Sequence, residues 1–134
     1  MHMESFRTIL HVGASNSWSI HQVNVKTAFL YGVLPDDETC FMEQPKGFAE
    51  LGFPANEWVW ELQKGLYGMK QAGQLWNKAM HTHMLELGFT QHPSDPCIYY
   101  QKNEDGLILT GIHVNDHIIT GNNDAGIAKF KDKL

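Results

Sequence analysis

The stretch from Cys97 to Thr120, CIYYQKNEDGLILTGIHVNDHIIT, leaves little freedom in how this chain folds. Aromatic and β-branched residues lead up to Asn-Glu-Asp-Gly at 103–106, continue to His113, and resume after Asp116. A polar tetrad ending in glycine between two apolar runs is a hairpin turn, because Asn, Asp and Gly tolerate the backbone angles that a tight reversal needs. The segment GIHVNDHIIT, 111–120, predicts a second hairpin with Asn115 and Asp116 at its tip. Successive hairpins commit the C-terminal part of the chain to an antiparallel sheet.

The remaining segments predict what surrounds that sheet. Phe6, Ile9, Leu10 and Gly13 recur at helical spacing, which predicts a helix over 4–15. Ile20, Gln22, Val23 and Val25 predict a strand over about 19–25. A turn follows around Gly32 and Pro35, with Asp36 and Asp37 read as solvated charges, and a short strand ends at Pro45. In another strand Val59 and Glu61 alternate against Trp60 and Leu62; Gly65 and Gly68 then bracket a turn. Trp76, Met80, Met84 and Leu87 step by four, four and three, so a helix over about 72–87 buries one stripe, and Gly88 ends it. Asn122 or Asn123 caps a last helix. This order predicts an α+β fold, an antiparallel sheet with helices packed on one face. The 134 residues, 43% hydrophobic, read as one domain over 4–134, with MHM at 1–3 as a cloning remnant.

Charge narrows the partners. The net charge is −5 and Arg7 is the one arginine, which argues against strong nonspecific nucleic-acid binding. Lys64, Lys70 and Lys78 lie in a stretch without acids between Glu61 and Glu86, either a weak basic patch or a solvated surface. No run of 18 apolar residues predicts a membrane span. Cys40 and Cys97 lack metal-type spacing and read as reduced thiols of an intracellular protein, cytoplasmic or nuclear. Among eight histidines, His81 and His83 stand two apart on a predicted helix and are poor joint ligands. His113 and His117 flank the second hairpin tip beside Asp116, so a His-Asp-His transition-metal site or an acid–base group is one reading.

Four segments together carry a resemblance over nearly the whole chain. HQVNVKTAFLYGVL with CFMEQPKGF, then LQKGLYGMKQAGQLWNKAM, GFTQHPSDPCIYYQ and IHVNDHIITG are similar, in order and spacing, to the motifs of copia-type retrotransposon reverse transcriptases. In style they are nearest to elements of mushroom-forming fungi. The resemblance implies the ferredoxin-like palm of an RNA-directed DNA polymerase with part of the fingers, and no thumb or RNase H domain. It also implies two Mg²⁺ or Mn²⁺ ions held by three aspartates. Those three positions fall on Asn24, Asn115 and Asp116, so one carboxylate stands where the family has three. Hard cations need anionic oxygens, and metal binding is expected to be weak or absent. Gln74 stands where the family often has arginine. Lys26, Gly68, Lys70 and Gln71 occupy nucleotide- or template-binding positions. The expectation is a polymerase-inactive remnant with weak binding to nucleic acid such as an RNA/DNA hybrid. Two alternatives stay open: a co-opted interaction protein that forms homo-oligomers or binds a protein partner, and a repurposed enzyme using Asp116 and the nearby histidines.

Overall fold

The computed structural model describes residues 1–134. The chain divides into two compact units, Met1–Ala28 with Met80–Leu134, and Phe29–Ala79.

The first unit is built on the predicted hairpins. Strands β5 (Ile98–Asn103), β6 (Gly106–His113) and β7 (Asp116–Gly121) form an antiparallel meander. Strand β1 (Ile20–Asn24) adds to it beside β7, and β4 (Thr90–Gln91) closes the other edge, giving the order β1-β7-β6-β5-β4. β4 is only two residues long, too short to leave a period in the sequence.

The register sorts the side chains onto two faces. One carries Tyr99, Ile108, Thr110, Ile112, His117 and Ile119, all buried. Helix α3 (Asp124–Lys131) covers this face, with the Phe130 ring 6.4 Å from that of His117. The C-terminal part of helix α2 (Ala72–Glu86) joins it, where His81 Nδ1 and the Tyr99 hydroxyl lie 2.9 Å apart. Helix α1 (Met3–Ser15) packs on the opposite face, against Gly111 and Thr120. The expectation of helices on one face is therefore corrected. The reason is visible in β6: GLILTGI is a continuous apolar run rather than an alternating one, the pattern of a strand covered on both sides. Two glycines allow the close approach of α1. A Cβ on Gly111 would lie 2.7 Å from Ile9 Cδ1, and one on Gly13 would lie 2.7 Å from Thr120 Oγ1.

Asp95 fastens α1 to the sheet. This buried carboxylate accepts the His2 N–H at Oδ2 (2.9 Å) and the Cys97 N–H at Oδ1 (3.0 Å). Burial opposes its charge, but hydrogen bonds from the Ser5 side chain and those two N–H groups outweigh it, and its pKa is pushed down to about 2. His2 thus takes part in holding the start of α1. At the other end Asn123 caps α3, accepting the Gly126 N–H at 2.8 Å.

The second unit holds all but the first residue of a 3-10 turn (Ala28–Tyr31), the antiparallel pair β2 (Phe41–Glu43) and β3 (Val59–Glu61), and the start of α2. Leu34, Ala72, Leu75 and Trp76 are buried. The buried Gln44 amide ties down the 44–58 loop, donating to the carbonyls of Phe53 (3.0 Å) and Trp58 (3.2 Å) and accepting the Glu50 N–H (3.1 Å). Tyr31, Phe41, Phe48, Phe53, Trp58 and Tyr67 remain exposed. Along α2, Trp76, Met80 and Met84 are buried as their spacing predicts, whereas Leu87 lies past the helix end and is half-buried. No helix is long and apolar enough to cross a membrane.

Candidate active site

The site is assembled where β1 meets the β6–β7 hairpin. The turn consists of Val114 and Asn115; Asp116 is not at its tip but is the first residue of β7, opposite His113 on β6 and Asn24 on β1. The Asn115 carbonyl accepts the Val25 N–H at 2.8 Å, which pins the turn to the end of β1. Asn24, Asp116 and His113 therefore form one row on one face. Gln22 lies on that face two residues back along β1, a position that β-alternation marks and that sequence reasoning passed over.

The Asp116 carboxylate is already engaged. Asn24 Nδ2 donates to Asp116 Oδ1 at 3.1 Å, and Gln22 Nε2 approaches the same oxygen at 3.4 Å. Only the NH₂ end of an amide is attracted to a carboxylate, so Asn24 turns its own oxygen away. To ligate a cation it would have to rotate and break this bond. No group of three or more His, Cys, Asp or Glu side chains is placed to hold a metal ion. The side chains present do not fit a pair of dications.

Val114 has φ +58°, a region that a β-branched residue occupies only under strain. Val114→Gly is expected to raise stability by about 1 kcal/mol, read as a higher urea midpoint with unchanged slope.

His117 does not join Asp116. Adjacent residues of a strand point to opposite faces, and His117 is fully buried on the α3 side. Neither ring nitrogen has a hydrogen-bond partner, and the Thr110 hydroxyl on the same face also lacks one. Burial pushes the His117 pKa down to about 4, opposed by Asp116 and assisted by His83. The His-Asp-His reading is corrected: His113 is on the Asp116 side and His117 is not. His83 is engaged elsewhere, its Nε2 3.0 Å from the Lys133 carbonyl.

Comparison with known proteins decides what this geometry descends from. The model of the family described as reverse transcriptase (RNA-dependent DNA polymerase) matches residues 1–134. The chain belongs to this family. It is 39% identical over 133 residues to the retrovirus-related Pol polyprotein from transposon TNT 1-94 of Nicotiana tabacum, covering 98% of this chain and 10% of that protein. It is 35% identical over 130 residues to the Pol polyprotein from transposon RE1 of Arabidopsis thaliana, covering 97% and 9%. A putative transposon Ty5-1 protein of Saccharomyces cerevisiae is 32% identical over 112 residues, covering 84% and 35%. These relatives bear out the resemblance to copia-type reverse transcriptases. The chain spans about a tenth of the length of the first two. No solved structure matches it.

Four other positions were singled out in this reverse-transcriptase segment. Strand alternation carried on from Asn24 would put Lys26 on the same face, but β1 ends at Asn24, and Lys26 sits exposed in the following turn. Gly68, Lys70 and Gln71 belong to the 29–79 unit. Gly68 has φ +95° with open space around it, so backbone conformation explains the glycine. The Gln71 carbonyl accepts the N–H groups of Gln74 and Leu75, each at 3.0 Å, and so starts α2; Lys70 is exposed. Cys40 and Cys97 are free thiols.

Proposed function

We propose that this copia-type reverse-transcriptase segment is a palm that has lost polymerase chemistry and keeps a weak affinity for nucleic acid. The observation that carries the reading is the Asn24–Asp116 hydrogen bond (3.1 Å), where a single carboxylate faces an amide donor rather than two further carboxylates. The family's chemistry needs a pair of dications close together, each demanding anionic oxygens. One carboxylate already bonded to an amide leaves them under-neutralised, so electrostatic stabilisation of the transferring phosphate is missing. The order β1-β7-β6, with positions 24 and 116 in one row, supports descent from a ferredoxin-like palm.

The test is primer extension on an RNA template with Mg²⁺ or Mn²⁺. Product at the level of an Asp116→Asn control is expected; product clearly above it refutes the loss of chemistry. The affinity is measured by fluorescence anisotropy of a labelled RNA–DNA primer–template. Dissociation constants of roughly 10⁻⁵ M at low salt, lost at physiological salt, are expected for a chain of net charge −5. No binding at low salt sinks that half of the reading.

A second reading, protein association, is favoured by one observation. Phe41, Phe48, Trp58 and Tyr67 of the 29–79 unit are each at least half exposed. Sedimentation equilibrium showing a dimer without oligonucleotide affinity would favour it.

A further inference from the structure

Asn24 and Gln22 do more than fail to bind metal. They place amide hydrogens on the oxygen of Asp116 that faces β1. β1 is an edge strand that pairs with β7 alone, and Asn24 stands directly opposite Asp116 at the end of that ladder. Beside the Val25–Asn115 backbone bond, the side chain at position 24 contributes to how firmly this end of β1 is held.

We infer that the Asn24 and Gln22 amides are a structural substitute for a bound cation, locking β1 to β7 through Asp116 and making this sheet edge indifferent to divalent metal. The inference rests on the assignment of positions 24 and 116 to the family's metal ligands. Two like charges directly opposite each other in a ladder are destabilising. A carboxylate at 24 would stand about as far from Asp116 Oδ1 as the present amide nitrogen, 3.1 Å, and would repel it until a cation came between them. The amide removes the repulsion and adds a hydrogen bond to a charged acceptor, the stronger kind. Gln22 reaches diagonally to the same oxygen from the next position on that face. Asp116 is half-buried, so solvent screens it only in part. The substitution that removes catalysis thus stabilises the fold in the absence of metal.

Thermal unfolding of the 134-residue chain tests this, with EDTA and with millimolar Mg²⁺ as the probe. The parent is expected to melt at the same temperature in both. Asn24→Asp is expected to melt about 3–5 °C lower in EDTA and to recover in Mg²⁺, but not in NaCl of equal ionic strength. Adding Asp116→Asn to Asn24→Asp removes the charge pair and is expected to abolish both the loss and the Mg²⁺ response. Gln22→Ala is expected to cost a degree or two with no Mg²⁺ response, and serves as the reporter if Asn24→Asp does not fold. A parent that Mg²⁺ stabilises, an Asn24→Asp variant as stable as the parent in EDTA, a loss that Mg²⁺ leaves unchanged, or a Gln22→Ala variant rescued by Mg²⁺ overturns the inference. Primer extension by the parent would overturn the functional reading instead and leave these melting curves as they are.

Discussion

Asp95→Ala is expected to destabilise the chain by about 3 kcal/mol and to lower its melting temperature by roughly 10 °C. The carboxylate is 3% exposed and accepts the N–H groups of His2 and Cys97. Alanine leaves those donors and the Ser5 side chain without their acceptor, and an unsatisfied buried donor costs about 1–3 kcal/mol. The damage is directional. His2 is the residue before the first turn of α1, so the helix loses the contact that fixes its start against the sheet. Asp95→Asn keeps one acceptor oxygen and is expected to lose about half as much. Acid should act like the mutation. The folded pKa, near 2, lies below the ordinary 3.8, so this contribution is whole above pH 4 and disappears as pH falls from 3.8 toward 2. Chemical denaturation of parent and variant across that range checks it: the two stabilities should converge at the acid end.

The second large effect comes from His117 and has its own pH window. Its folded pKa, about 4, lies below the ordinary 6.5, because burial disfavours the imidazolium. Between pH 6.5 and 4 the unfolded chain binds a proton that the folded chain does not. Stability is therefore full above 6.5 and falls by about 3 kcal/mol as pH drops to 4. The groups facing the ring are Phe130 of α3 and His83 of α2, with Asp116 beside it in the strand. His117→Leu removes two buried ring nitrogens that have no partner. It is expected to raise stability at neutral pH by about 1–2 kcal/mol and to flatten the slope between pH 6.5 and 4. A variant that keeps the parent's slope would assign the acid sensitivity to another group.

How much of this was legible in the sequence depends on the range of the interaction. Helix α2 and the 103–106 turn were, because a stripe at 76, 80 and 84 and an Asn-Glu-Asp-Gly tetrad are local signals. The motifs pointed to positions 24, 115 and 116, and the structure places 24 and 116 in one row. The side of the sheet on which α1 packs was not. An amphipathic helix announces that it has an apolar face, not which surface receives it. The misplacement of His117 was avoidable. Once Asp116 starts a strand, alternation sends 117 to the opposite face, but reading 115–116 as the tip made 113 and 117 look like flanking partners. Asp95 carried only a weak sign, an acid before a proline, because its partners His2 and Ser5 lie about ninety residues earlier.

That separation has a consequence for how the molecule assembles. The β5–β6 and β6–β7 ladders join residues close in sequence, whereas β1–β7 joins Asn24 to Asp116 and Ile20 to Thr120. Closing so long a loop costs conformational entropy that no nearby contact offsets in advance. The meander can form early from local contacts, while β1 must wait for the chain between to be gathered in. The row that holds Asn24 and Asp116 is then among the last parts of the sheet to come into register. A neutral amide opposite Asp116 eases that late step, since β1 arrives at a hydrogen-bond acceptor and not at a like charge.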